Sequence, residues 1–154
     1  MAISFDHTVQ VPATPERVFL ALSSSDENAR WMSGFVRRER LTDSEFGVGT
    51  QFRETRKMFG RDSTEHFEVI ACDSPTRLDL RVDGSKGASG KGECLFSYRL
   101  EPVDGGTRLT MTGEVCGVKG VMAFLAKFMV KSFEKGCSKE LEALKDYLAG
   151  ESQS

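Results

Sequence analysis

The chain has 154 residues, 39% of them hydrophobic and 29% charged, which is ordinary for a single globular domain with a substantial core. Its formal net charge of −2 argues against nucleic acid as the main partner, because nucleic-acid binding usually needs a strongly basic surface. No run of about 18 apolar residues predicts a membrane span. Residues 1–11 lack the basic and apolar regions of a signal peptide, so we expect a cytoplasmic protein.

The N-terminal segment predicts one strand followed by two short helices. Apolar and polar residues alternate over residues 3–11, which is the pattern of a half-buried strand. Thr14 is suited to cap the first helix, with Pro15 at its first helical position, and a run of serines is expected to end it. Asp26 is expected to cap the second helix.

Six further strands are predicted in the middle of the chain, separated by turns rich in Gly, Asp and Pro. The residues 104–106, Asp-Gly-Gly, give a strong hairpin signal. Arginines at 37, 38 and 40 blur the alternation of the first of these strands, which an edge strand tolerates. The six strands are expected over residues 35–42, 50–59, 63–72, 77–82, 94–100 and 109–115.

The C-terminal part predicts one long helix over about residues 118–148. The second half of this helix has a single apolar stripe formed by Cys137, Leu141, Leu144 and Leu148. In residues 121–130, by contrast, apolar side chains cover almost the whole circumference, which indicates either deep burial or the wall of a pocket. Gly136 lies between the halves and weakens a helix by up to about 1 kcal/mol relative to alanine, which would permit a bend.

Three segments carry a family resemblance in addition to the order of the elements: ATPERVF at 13–19, WMSGF at 31–35 and GVGTQFR at 47–53. Together with the closing helix they resemble the START-like superfamily, also called SRPBCC, which includes polyketide cyclases and lipid-transfer domains. The resemblance implies an α+β helix-grip fold. In this fold a seven-stranded curved antiparallel sheet surrounds the long C-terminal helix, with two short helices between strands 1 and 2. We expect one such domain over residues 1–150, with a disordered tail at 151–154.

The resemblance also implies a cavity between the sheet and the long helix that holds a small hydrophobic molecule without a cofactor. The residues expected to line it are Trp31, Phe35, Phe52, Glu54, Arg56, Phe67, Leu80, Phe96, Tyr98, Met111, Val121, Phe124, Leu125, Phe128 and Met129. Tyr98 alternates with apolar residues, so its ring is expected inside with a hydroxyl that needs a partner. Trp31 is interpreted either as a wall of the pocket entrance or as a core anchor.

Glu54 and Arg56 share one face of their strand with Phe52. If that face points inward, the two charges must be paired, and the pair could fix a polar group of the ligand. Because buried charges are rare, we expect both side chains at the open rim instead.

The histidines and cysteines form no recognisable catalytic or metal site. His7 is interpreted as a core residue with a satisfied ring, and His66 is expected on the solvated face. The four cysteines lack CxxC spacing and are interpreted as buried, reduced thiols. Residues 83–92 fail the phosphate-loop pattern and are expected to form a hairpin loop near the pocket mouth. No metal is predicted.

Three hypotheses about function remain open. The first is a module that binds a small hydrophobic or amphipathic ligand, such as a lipid, an aromatic molecule or a polyketide. The second is a cyclase or dehydratase that uses the same cavity, with Tyr98, Glu54 or Arg56 assisting proton transfer. The third is a co-chaperone-like interaction module. Lysines at 127, 131, 135 and 139 are interpreted as a solvated face, with transient contact to anionic lipid as the alternative.

Overall fold

The computed structural model describes residues 3–58, 60–87, 92–116 and 121–152. The helices are α1 (Pro15–Ser23), α2 (Ser25–Trp31) and α3 (Val121–Ser152). The strands are β1 (Ile3–Val11), β2 (Phe35–Arg40), β3 (Gln51–Met58), β4 (Arg61–Asp73), β5 (Arg77–Asp83), β6 (Glu93–Val103) and β7 (Gly106–Cys116). This order of elements is the one that the sequence predicts.

The seven strands form one curved antiparallel sheet in the order β1-β7-β6-β5-β4-β3-β2. The strands from β2 to β7 therefore form a meander, and β7 pairs with β1. This order leaves β1 and β2 at the two edges of the sheet. The second half of α3 packs on the concave face, because its apolar stripe joins residues of β1, β6 and β7 in one core. The helix-grip architecture is confirmed.

The hairpin predicted at residues 104–106 connects β6 to β7. Gly105 has a φ of +82°, in the left-handed region that glycine adopts without steric cost. At Gly106 a Cβ atom would lie 2.0 Å from the backbone oxygen of Val11, so only glycine permits this approach of the hairpin to the end of β1. The conformation of these two glycines therefore fixes the register in which β6 pairs with β7.

Local details differ from the sequence predictions at three places. Ser24 caps α2 in place of Asp26, because its hydroxyl accepts a hydrogen bond from the amide of Glu27. An irregularity in β4 between Val69 and Ala71 shifts the alternation, and Cys72 packs against the core. α3 continues without interruption through Gly136 and extends to Ser152, so residues 151 and 152 belong to the helix and not to the predicted tail.

The two histidines have different surroundings. The Nε2 atom of His7 lies 3.2 Å from the hydroxyl of Ser138 on α3, which agrees with the interpretation of a satisfied core histidine. His66 is 7% exposed, so its prediction on a solvated face is wrong. The 3-10 turn Gly84–Lys86 packs against β4, and burial together with Lys86 lowers the pKa of His66.

The four cysteines are free, with Cys137 buried and Cys72, Cys94 and Cys116 half-buried. Burial raises the pKa of each thiol, and that of Cys137 to about 12, which keeps these groups protonated at neutral pH. The interpretation as reduced thiols agrees with the structure, whereas complete burial holds only for Cys137.

Three further predictions concern surface segments. Lys131, Lys135 and Lys139 are exposed, whereas the side chain of Lys127 lies outside the described residues. The predicted loop 83–92 begins with the turn Gly84–Lys86, and its residues 88–91 also lie outside them. Within the described part of the chain, no helix has the length and apolar character needed to cross a bilayer.

Leu144 and Leu20 offer a matched test of this packing, because Leu144 in the C-terminal half of α3 is fully buried and Leu20 on α1 is 50% exposed. We expect Leu144→Ala to lower the free energy of unfolding by about 2–5 kcal/mol, through lost burial and the cavity left behind. Leu20→Ala should change it by about 0.5 kcal/mol or less. Urea denaturation measures both values, and equal losses would contradict the assignment of Leu144 to the core.

Candidate functional site

A chain of ion pairs lies on the concave face of the sheet at β2 and β3. Glu54 of β3 is only 4% exposed. The Nε atom of Arg38 donates to Oε1 of Glu54 at 3.2 Å, assisted by Nη2, and the Nε atom of Arg56 donates to Oε2 at 3.0 Å. Both carboxylate oxygens are therefore paired with a guanidinium, which offsets the cost of burying the charge.

The register of the sheet creates this arrangement. Arg38 of β2 lies directly opposite Glu54 of β3, and Arg56 follows Glu54 on the same face because side chains alternate along a strand. The expectation that Glu54 lies at the open rim is wrong. That prediction did not include Arg38, whose guanidinium on the neighbouring strand β2 is the second partner of the Glu54 carboxylate.

α3 completes the ion-pair chain through Glu140, whose Oε1 atom accepts a hydrogen bond from Nη1 of Arg56. Burial raises the pKa of Glu140, with a contribution from Glu54, although Arg56 opposes the shift. Glu140 was not predicted as a site residue. A signal was nevertheless present, since residue 140 follows Cys137 by three positions and precedes Leu144 by four, which places a carboxylate beside the apolar stripe.

Arg56 connects the sheet to the helix and to the loop after α2. Burial disfavours its charge, but Glu140 and Glu54 outweigh this effect and raise the pKa of Arg56. Its Nη2 atom also lies 3.4 Å from the sulfur of Met32. One guanidinium thus holds two carboxylates and a thioether, and it remains charged at all physiological pH values.

Tyr98 of β6 projects from the same concave face. Burial is the main cause that raises its pKa, followed by the nearby Glu140 and Cys137, with Arg56 acting in the opposite direction. The side chain is nevertheless half-buried, not fully enclosed. Among the residues that the structure describes, none forms a hydrogen bond with the Tyr98 hydroxyl. A neutral hydroxyl group therefore lies beside the ion pairs.

The predicted apolar lining falls into two groups. Phe67, Leu80 and Phe96 are half-buried on the concave face near Tyr98, as shown by the pairing of β4, β5 and β6. Phe52 and Met111 are almost fully buried, at 2% and 3% exposure. The first group keeps surface that a bound molecule could cover, whereas the second group supports the face from within.

The rings of Phe52 and Phe67 stack with centroids 5.1 Å apart. Trp31 is 8% exposed in the hydrophobic core, and its indole N–H donates to the backbone oxygen of Ala21 at 2.9 Å. This contact is that of a core anchor, one of the two interpretations of Trp31. Phe35 is half-buried at the start of β2, opposite Arg56.

The remaining predicted pocket residues lie in the first half of α3. The structure describes the helical backbone of this segment, but these side chains lie outside the described residues: Val121, Phe124, Leu125, Phe128 and Met129.

A family model for polyketide cyclase / dehydrase and lipid transport proteins matches residues 2–149 of this chain. The match covers every strand and nearly all of α3. No curated protein sequence matches the chain.

Solved structures show the same fold. Ara h 8.0201 superposes with a TM-score of 0.73 at 19% identity, covering 97% of this chain and 99% of that one. A Rhodobacter sphaeroides protein gives 0.75 at 22% identity, with coverages of 96% and 93%. A Staphylococcus aureus protein of unknown function gives 0.79 at 10% identity, with coverages of 100% and 98%. At these identities the likeness shows the fold alone.

Glu54→Ala should lower the free energy of unfolding by about 3 kcal/mol or more, because it leaves two guanidinium groups without their shared buried carboxylate. The matched control is Glu39→Ala on β2, since Glu39 is 62% exposed and lies 3.8 Å from Arg53. Its loss should stay below about 1 kcal/mol. Chemical denaturation of the two variants decides the matter, and similar small losses would show that the Glu54 pairs contribute no stability.

The raised pKa of Glu140 predicts a pH dependence of stability. A carboxyl with a higher pKa in the folded state stabilises the fold while it is protonated and loses this contribution as the pH rises through that pKa. The stability of Glu140→Gln relative to the natural chain should therefore increase between about pH 4 and pH 7. Denaturation curves at both pH values measure this difference. The exposed Glu142→Gln serves as control and should show no such trend.

Proposed function

The chain belongs to the polyketide cyclase / dehydrase and lipid transport family of the START-like superfamily, and on this premise we propose that it binds a small amphipathic molecule between the sheet and α3. The apolar body of the ligand rests on Phe67, Leu80 and Phe96, and its polar end meets Tyr98 and Arg56. Suitable ligands are lipids, aromatic molecules and polyketides. We expect this binding to occur in the cytoplasm, as predicted from the sequence.

The observation that carries this proposal is the state of Tyr98. Protein surrounds its ring closely enough that burial raises the pKa, yet the side chain keeps accessible surface and its hydroxyl bonds to no described residue. Desolvating a hydroxyl without a partner costs about 1–3 kcal/mol, so a site of this kind favours a molecule that supplies an acceptor or donor. The half-buried apolar residues beside it provide the hydrophobic contribution to affinity.

The ion-pair chain adds specificity. Glu54 holds Arg56 in place from one side and Glu140 from the other, so the guanidinium is already oriented before a ligand arrives. Pre-orientation reduces the entropy lost on binding. A carbonyl or hydroxyl oxygen is the group that matches this site, because Tyr98 and Arg56 both donate hydrogen bonds.

A cyclase or dehydratase activity is the second candidate, and the raised pKa of Glu140 is the observation that favours it. A raised pKa makes a carboxyl better suited to act as a general acid. In this role Glu140 would deliver a proton to an oxygen of the ligand, and Arg56 would stabilise the carboxylate that remains.

Tyr98→Phe tests the proposal against a matched control. The ligand for this test is a molecule that copurifies with the protein. We expect Tyr98→Phe to weaken binding of this molecule by roughly tenfold, the equivalent of one lost hydrogen bond, with little change in the free energy of unfolding. Tyr147→Phe also removes one hydroxyl, but this hydroxyl donates to Glu27 at 2.6 Å, so it should lower stability and leave binding unchanged.

Native mass spectrometry of protein purified from its source identifies the bound molecule for this comparison. Absence of any copurifying molecule, together with no thermal shift across a panel of lipophilic compounds, would overturn the binding function. Turnover of a bound polyketide that ceases in Glu140→Gln would establish the enzyme instead.

A further inference from the structure

A second concavity lies beside the ion-pair chain and shares Arg38 and Phe52 with the candidate site, where the junction of α1 and α2 faces β2 and β3. The cleft has a volume of about 360 Å³, which is within the range of small-molecule sites. Leu20 of α1 forms one side, Phe46 of the loop between β2 and β3 forms another, and Phe52 lies at the base. Arg38 and Arg40 of β2 supply the charged groups.

Arg40 is a cation without a carboxylate partner among the described residues. Its side chain is exposed, and its Nη2 atom donates to the backbone oxygen of Ser44. Its guanidinium carbon lies 5.9 Å from the centre of the Phe46 ring. A backbone carbonyl and an aromatic ring thus hold the guanidinium in one place while its charge stays uncompensated, which is unusual for an arginine that is only a solvated surface group.

Arg38 contributes a second guanidinium at the base of the cleft. Its guanidinium carbon lies 4.2 Å from the centre of the Phe52 ring, and its Nε and Nη2 atoms donate to Glu54. No described residue accepts a hydrogen bond from its Nη1 atom. Arg38 belongs to a chain in which two arginines, Arg38 and Arg56, are paired with Glu54 and Glu140, so Arg40 is the cation of the cleft whose charge has no paired carboxylate among the described residues.

The remaining lining has the opposite character. Leu20 is 50% exposed, which is high for a leucine, and it shares the cleft with the ring of Phe46. No carboxylate is among the lining residues. Ser24 lines the cleft as well, and because its hydroxyl accepts a hydrogen bond from Glu27, its own hydrogen remains available to donate. A fixed, uncompensated guanidinium beside exposed apolar surface matches a ligand that is anionic at one end and apolar at the other.

We propose that this cleft is a binding site for a small organic carboxylate with an aromatic or acyl body. The carboxylate pairs with Arg40, with Arg38 beneath it, and the apolar body lies against Leu20 and Phe46. The site is separate from the one that contains Tyr98, because Phe52 and the Arg38–Glu54 pair stand between the cleft and Arg56. It therefore does not depend on the function proposed above.

Titration with 4-fluorobenzoate, followed by amide chemical shifts in two-dimensional NMR, tests the proposal. The largest shifts should occur at Leu20, Ser24 and Phe46. Arg40→Gln should weaken binding by roughly tenfold or more, because a charge-assisted pair is lost. Arg37→Gln makes the same change of charge on the same strand, at an exposed position that pairs with Thr55, and should alter the Kd less than twofold.

Two further arms complete the test. Leu20→Asp introduces a carboxylate into the cleft at an exposed position and should also weaken binding of 4-fluorobenzoate, whereas Tyr98→Phe should leave this binding unchanged. The neutral analogue 4-fluorobenzyl alcohol should bind at least tenfold more weakly than 4-fluorobenzoate. The proposal is overturned if Arg40→Gln and Arg37→Gln weaken binding equally, if the alcohol binds as tightly, or if the largest shifts surround Tyr98.

Discussion

The buried carboxylate of Glu54 sets the constraint on which the functional half of this protein depends. A charge at 4% exposure is tolerated only when its oxygens are paired, and two arginines on adjacent strands meet this need. The pairing fixes the position of Arg56, which in turn reaches Glu140 on α3. An electrostatic requirement within the sheet thus determines where the long helix and the polar end of the candidate site meet.

The C-terminal half of α3 is fixed by a different set of contacts. Its apolar stripe is buried against the sheet, and near its end Arg17 of α1 pairs with Glu151 and with Glu27 of α2. Tyr147 donates to the same carboxylate of Glu27. Core packing and this network together join all three helices at one end of the molecule. The candidate site lies beyond this anchored part, where polar and half-buried apolar groups replace the continuous core.

The concave face therefore combines two kinds of surface with different physical roles. Near β1 and β7 it is closely packed, as Val11 and Leu109 with no exposure show. Near β4, β5 and β6 large apolar residues keep accessible surface, and Tyr98 has no partner among the described residues. The ion-pair chain lies beyond β4, on β3 and β2 at the opposite edge of the sheet from β1. The concave face is thus closely packed at β1 and β7, keeps accessible apolar surface at β4, β5 and β6, and carries its buried charges at β3 and β2.

The sequence by itself determined the order of elements and the apolar stripe of α3, because alternation, turn residues and helical periodicity are local properties of the chain, and its resemblance to the START-like superfamily implied the helix-grip architecture. It also indicated Tyr98, whose position follows from the alternation of β6. Only the tertiary structure decided that Glu54 is buried and that Glu140 belongs to the site, since both depend on partners far away along the chain. The cost of burying a charge is set by those partners.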